Sequence, residues 1–104
     1  MIDIRPVALG HVHPESAALD WDAAQVRRLA RHLGSRLVWP PECSRIPLVD
    51  QVRATGADAV ITPSTDHLGI LTLHAVMCVA DVETVTPRLS FGRWPAEPKP
   101  EADV

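Results

Sequence analysis

Short apolar runs of strand length alternate along this chain with amphipathic segments of helix length. The apolar runs cover residues 7–12, 36–39, 59–61 and 82–86. Between them lie segments with apolar residues at helical spacing, and the clearest of these covers residues 20–34. Strands and helices that alternate in this way form a parallel sheet with right-handed crossovers and with helices on both faces. The sequence therefore predicts an α/β fold, a three-layer sandwich with a mostly parallel central sheet.

The length and the composition suit a single small domain followed by a tail. The chain has 104 residues, and prolines and charges replace the apolar runs near its C-terminal end. We therefore expect an α/β domain over residues 1–87 and a flexible, Pro-rich tail over residues 88–104. Phe91 and Trp94 are the two tail residues that we expect to anchor its first part.

The charge of the chain limits its partners. A net charge of −3 argues against the broad basic surface of an autonomous DNA binder. Arg27, Arg28, Arg31 and Arg36 form a local basic group, and a solvated face is the more common role of such a group. No apolar run reaches the roughly 18 residues that span a bilayer, and the first residues do not resemble a signal peptide. We expect a cytoplasmic protein without membrane contact.

The segment from residue 58 to residue 69 is the place where we expect chemistry. A buried strand ends at Pro63, and four polar residues follow it in a loop: Ser64, Thr65, Asp66 and His67. In an open α/β sheet, ligands bind at the carboxyl ends of the strands. The two hydroxyls either contact an anion or cap the next helix, and the cap is the more common role. That helix is predicted over residues 68–80.

In this arrangement the sequence resembles the N-terminal catalytic domain of serine recombinases, the resolvase/invertase family, over residues 7–86. Gln25 and Leu29 match a Gln-x-x-x-Leu pattern in the first helix. Asp66-His67-Leu68-Gly69 stands where the family has Asp-Arg-Leu-Gly. The resemblance implies a resolvase-like sheet with the flavodoxin-like order 2-1-3-4, and it implies self-association through helices.

The departures from the family pattern concern its catalytic residues. His13 stands in place of the nucleophilic serine, and His11 replaces the arginine before it. Of the family's Asp-Arg-x-x-Arg set only Asp66 is present, because His67 and Ile70 occupy the arginine positions. Phosphoryl transfer needs a positioned nucleophile and cations around the phosphate, and neutral histidine does not replace the arginine fork. We therefore expect a non-catalytic pseudoenzyme that acts as a small interaction or regulatory domain.

The same substitutions leave a second hypothesis, a metal site. His11 and His13 lie two apart at the end of the first strand, and Asp66 and His67 follow the neighbouring strand. Three imidazoles and a carboxylate suit zinc or another divalent metal. The alternative function is thus a small metal-binding protein or a metal-dependent hydrolase. The competing interpretation is an inactivated site with polar residues left at a solvated strand end, and it implies no cofactor.

The predicted helix over residues 68–80 is apolar around most of its circumference. Only Thr72 and His74 interrupt it, so a second face needs a cover besides the sheet. Either the tail folds back over this helix or a second copy of the chain packs on it. We predict a homodimer or another protein partner, with four candidate interface residues: Leu71, Val76, Phe91 and Trp94.

Overall fold

The computed structural model describes residues 3–41 and 45–95. Within these residues strands and helices alternate until the last two strands, which follow one another directly. The elements are β1 (Val7–Gly10), α1 (Leu19–His32), β2 (Arg36–Val38), α2 (Leu48–Thr55), β3 (Ala59–Thr62), a 3₁₀ turn (Thr65–His67), α3 (Ile70–Met77), β4 (Asp81–Thr84) and β5 (Leu89–Phe91).

The strands form one sheet in the order β2-β1-β3-β4-β5. The first four are parallel to one another, and β5 runs antiparallel to β4. The predicted α/β class and the mostly parallel sheet are confirmed, and the first four strands follow the order 2-1-3-4. The fifth strand was not expected from the sequence.

Side chains alternate between the two faces of the sheet, and each face is covered by different helices. Leu9, Val60 and Val82 belong to a buried cluster that includes residues of α2 and α3. Ala8 and Ile61 point the other way, into a cluster with residues of α1. Full burial of one such aliphatic side chain contributes roughly 1.5–3 kcal/mol. The molecule therefore has three layers, with α1 alone on one side of the sheet.

The segment after residue 87 differs from its prediction as a tail. Leu89–Phe91 pairs with β4 as β5, and Phe91 packs against the core cluster of α2 and α3. The backbone N–H of Trp94 then donates a hydrogen bond of 2.8 Å to the carbonyl of Met77. A strand of three residues shows too little periodicity to be detected among prolines and charges. Residues 96–104 lie outside the described part, where the predicted tail stays a prediction.

Helix α3 is shorter than the helix predicted over residues 68–80. Gly69 adopts a φ of 75°, in the left-handed region that glycine occupies without strain. It therefore separates the 3₁₀ turn from the helix, which begins at Ile70 and ends at Met77. None of the described helices is long and apolar enough to cross a membrane.

The indole ring of Trp39 lies very close to Gly10, the last residue of β1. A Cβ atom at Gly10 would lie 2.7 Å from Cζ3 of Trp39, which is closer than real Cβ contacts. Glycine at this position therefore allows the indole ring to pack across the carboxyl end of β1. The guanidinium carbon of Arg27 lies 5.8 Å from the centroid of the same ring. Trp39 is thereby held between the end of the sheet and α1.

Candidate functional site

The loops that follow β1 and β3 lie side by side at the carboxyl edge of the sheet. The backbone N–H of His11 donates to the carbonyl of Ile61 at 2.9 Å, which extends the pairing of the two strands. Nε2 of the His11 ring lies 3.0 Å from the carbonyl oxygen of His67. Because a carbonyl oxygen only accepts, Nε2 of His11 carries the hydrogen of this bond. Two of the three predicted site histidines, His11 and His67, are thus in direct contact.

His67 connects this loop to two further parts of the chain. Its Nδ1 accepts a hydrogen bond of 2.9 Å from the backbone N–H of His13. The hydrogen of the neutral ring therefore lies on Nε2, which is 3.8 Å from Oδ2 of Asp22. The same Asp22 oxygen accepts a hydrogen bond of 2.5 Å from the hydroxyl of Ser16. Both ring nitrogens of His67 therefore face groups of the chain itself.

Asp22 and Ser16 are the members of this network that the sequence did not reveal. Asp22 lies in the first turn of α1, where an acidic residue is common because it interacts favourably with the helix dipole. Its contact with His67 depends on how α1 packs against the sheet. The only sequence signal was the position of an acidic residue in the first turn of the helix that follows β1.

The remaining members of the predicted cluster are exposed to solvent. Nδ1 of His13 accepts a hydrogen bond of 3.1 Å from the backbone N–H of Glu15. Asp66 is exposed and has no hydrogen bond or ion pair within the described part of the chain. Among residues 3–41 and 45–95, no group of three or more His, Cys, Asp or Glu side chains is arranged to hold a metal ion. The zinc hypothesis stays a prediction.

Burial controls the protonation of His11. Loss of hydration lowers the pKa of this imidazole below its usual value of 6.5, and the hydrogen bond to the His67 carbonyl opposes the shift. The nearby His67 and His13 rings lower the pKa further. His11 is therefore neutral near pH 7, so its Nδ1 is an acceptor.

A cleft of about 570 Å³ lies beside this network, between the end of β2 and the start of α1. Its lining is mostly apolar and includes Leu19 and Trp39, and its polar members are His11, Asp20 and Gln51. The volume falls within the range of small-molecule sites. No serine, threonine or cysteine belongs to the described lining. A nucleophile of the kind that attacks phosphate in the recombinases is therefore absent from the described lining.

Ser64 and Thr65 are half-buried at the start of the 3₁₀ turn. Ser64 precedes the turn, but its hydroxyl makes no capping hydrogen bond. The N-cap of α3 is Gly69, so the prediction that these hydroxyls cap the helix is wrong. Their predicted contact with an anion stays a prediction.

The four candidate interface residues lie in different environments. Leu71 is 82% exposed, and Trp94 is exposed with its ring centroid 6.0 Å from that of His74. Phe91 is half-buried at the edge of the core. Val76 is fully buried, so its assignment to an interface is wrong. The reason is that Val76 lies on the side of α3 that faces the sheet.

Comparison of the chain with protein-family models, with curated proteins and with solved structures finds no match. The resemblance to serine recombinases therefore stays a prediction.

Proposed function

We propose that this chain is a non-catalytic, recombinase-like interaction domain that pairs with a second copy of itself through the outer surface of α3. This surface consists of Ile70, Leu71, His74 and Trp94. The observation that carries the proposal is the exposure of Ile70 and Leu71, which are 81% and 82% exposed on consecutive positions of one helix. Two adjacent aliphatic side chains in water favour association with an apolar partner.

The hydrogen bonds at the carboxyl edge support the non-catalytic part of the proposal. The nucleophilic position of the recombinase pattern holds His13, whose Nδ1 accepts the backbone N–H of Glu15. His67 uses Nδ1 for the backbone of His13 and directs Nε2 towards Asp22. Imidazole rings that hold two loops together through such hydrogen bonds stabilise the fold. The exposed apolar side chains of α3 take no part in these contacts.

The charge distribution favours a second copy as the partner. The chain carries a net charge of −3, so two copies repel one another over most orientations. The sequence of α3 contains no aspartate, glutamate, lysine or arginine. Two copies that meet at this surface therefore bring together apolar groups without opposing like charges. Such a contact is closed by a two-fold axis, the commonest symmetry of soluble oligomers.

The size of the surface predicts a weak dimer. An eight-residue helix is about 12 Å long. A contact centred on one such helix is smaller than the roughly 800 Å² per partner of a standard stable interface. We therefore expect a dissociation constant in the micromolar range.

Light scattering over protein concentrations from about 10 to about 500 μM tests this proposal. The expected mass rises from 11.3 kDa towards twice that value. Leu71→Asp is expected to remain monomeric, because a dimer would bury two carboxylates in an apolar contact. Ile4→Asp is the matched control and is expected to associate like the parent, since Ile4 is also exposed and precedes β1, outside α3.

Three results would contradict the proposal. One is a parent protein that stays monomeric over the whole concentration range. Another is a Leu71→Asp variant that associates as well as the Ile4→Asp control. The third is a covalent adduct between the protein and supercoiled DNA, which would contradict the non-catalytic assignment alone.

A further inference from the structure

A second cavity lies along α1 and the outer strand β2, on the side of the sheet opposite α3. Its volume is about 350 Å³, and its lining includes Arg5, Arg27, Arg31, Ser35 and Trp39. Three arginines thus line one open groove in a protein whose net charge is negative. We call this cavity the arginine groove. It shares Trp39 with the cleft at the carboxyl edge.

Two of the three arginines have no acidic partner among the described residues. Arg27 and Arg31 are exposed and lie one helical turn apart on α1. Neither forms an ion pair with a described carboxylate, and the aromatic contact of Arg27 is with Trp39. Like charges at this spacing destabilise a helix. An anion between the two guanidiniums would convert this repulsion into attraction.

The third arginine is held in position by Asp3. Nε and Nη2 of Arg5 donate to the two carboxylate oxygens of Asp3 at 3.1 and 2.9 Å. These hydrogen bonds hold the pKa of Asp3 at about 2, so its carboxylate stays charged at neutral pH. Arg36 lies 3.6 Å from the same carboxylate. One acidic group is therefore shared by two arginines, and the groove keeps an excess of positive charge.

We propose that the arginine groove binds the phosphomonoester group of a small ligand. A phosphate dianion offers several acceptor oxygens, and guanidinium forks match that geometry better than ammonium groups do. The hydroxyl of Ser35 adds a donor, and Leu37 and Trp39 provide apolar surface for the body of the ligand.

The size of the groove and the charge of the chain select a small ligand over a nucleic acid. A volume of about 350 Å³ lies at the lower end of the range for small-molecule sites. Binding of a long polyanion depends on an extended row of cations, and a net charge of −3 opposes its approach. Binding of a single phosphate group requires only the few arginines that line the groove.

Calorimetric titration in a phosphate-free buffer tests the proposal, with adenosine 5′-monophosphate, inorganic phosphate and adenosine as probes. The monophosphate is expected to bind with a dissociation constant of about 1 mM or tighter, and inorganic phosphate more weakly. Adenosine lacks the anion and is expected to bind at least about tenfold more weakly than the monophosphate.

Arg31→Gln is expected to weaken binding of the monophosphate about tenfold or more, because a charge-assisted contact is lost. Arg28→Gln is the matched control, since Arg28 lies on the same helix and outside the groove. It removes the same charge and is expected to change the affinity by less than about twofold. Arg27→Gln repeats the test if circular dichroism shows that Arg31→Gln is unfolded.

Three results would overturn the proposal. One is the absence of saturable binding of the monophosphate to the parent protein. Another is an equal loss of affinity in Arg28→Gln and Arg31→Gln, which would indicate unspecific attraction to positive charge. The third is tighter binding of a single-stranded oligonucleotide than of the monophosphate, which would assign the groove to a polymer.

Discussion

His67 is the residue that ties the loop after β3 to the rest of the carboxyl edge. Its carbonyl accepts from His11, its Nδ1 accepts from the backbone of His13, and its Nε2 faces Asp22. Residue types and spacing predicted that the histidines would lie near one another. The partner of each ring nitrogen of His67 depends on which group of the folded chain lies next to it. The composition of the chain carries no information about these partners. The sequence therefore indicated the location of the cluster but not its present hydrogen bonding.

The burial of His11 predicts a pH dependence of stability. The unfolded chain takes up the proton near pH 6.5, whereas the folded chain takes it up only at lower pH because burial lowers the pKa. The contribution of neutral His11 to the free energy of unfolding is therefore fully present above pH 6.5 and is lost as the pH falls through the folded pKa. Urea denaturation between about pH 7.5 and about pH 5 measures this loss.

His11→Gln is expected to show a smaller loss of stability over this range than the parent protein. Gln keeps a side-chain N–H for the carbonyl of His67 but does not titrate. His32→Gln is the control, because His32 is exposed on α1 and its replacement is expected to leave the pH dependence unchanged. The same pH dependence in both variants and in the parent would contradict the assignment to His11.

At the scale of elements, the turn between β4 and β5 is held by one buried hydroxyl. Thr84 donates to the carbonyl of Pro87 at 2.6 Å and accepts from the backbone N–H of Leu89 at 3.1 Å. Thr62 lies opposite Thr84 on the neighbouring strand, and both residues are fully buried. The hydroxyl of Thr62 has no hydrogen-bond partner among the described residues. The two threonines are therefore equally buried on neighbouring strands, but within the described part of the chain only the hydroxyl of Thr84 is hydrogen-bonded.

Thr84→Val is expected to lower the free energy of unfolding by about 1–3 kcal/mol, because two backbone groups lose their partner. Thr62→Val is the matched control and is expected to be neutral or stabilising by up to about 1–2 kcal/mol, since it removes an unpaired buried hydroxyl. Urea denaturation of both variants measures the difference. A loss for Thr62→Val as large as that for Thr84→Val would show that this hydrogen bonding does not hold the turn.

The elements that could be predicted from sequence are those with a repeated pattern. The amphipathic spacing of α1 predicted a helix over residues 20–34, and the structure has it at Leu19–His32. The apolar run over residues 68–80 predicted a helix that is too long, because apolar residues alone do not show where a helix begins. Gly69 decides the boundary through a backbone angle. β5 depends on pairing with β4, which is a tertiary contact.

At the scale of the whole molecule, the two proposed surfaces belong to different layers. The outer surface of α3 lies on the layer formed with α2, whereas the arginine groove lies between α1 and β2. A dimer formed through α3 therefore leaves the groove open. The alternation of strands and helices predicted the layers themselves. It did not reveal which side chains of each layer face water, because that depends on the loops and on packing between helices.

The most direct test of self-association through α3 is a mixed-label NMR experiment that detects contacts only between copies. Half of the protein carries ¹³C-labelled methyl groups and the other half is unlabelled, at a concentration where light scattering reports a dimer. The proposal predicts intermolecular NOEs from the methyl groups of Ile70 and Leu71. Intermolecular NOEs confined to another surface, such as that around Leu19 at the carboxyl-edge cleft, would contradict it.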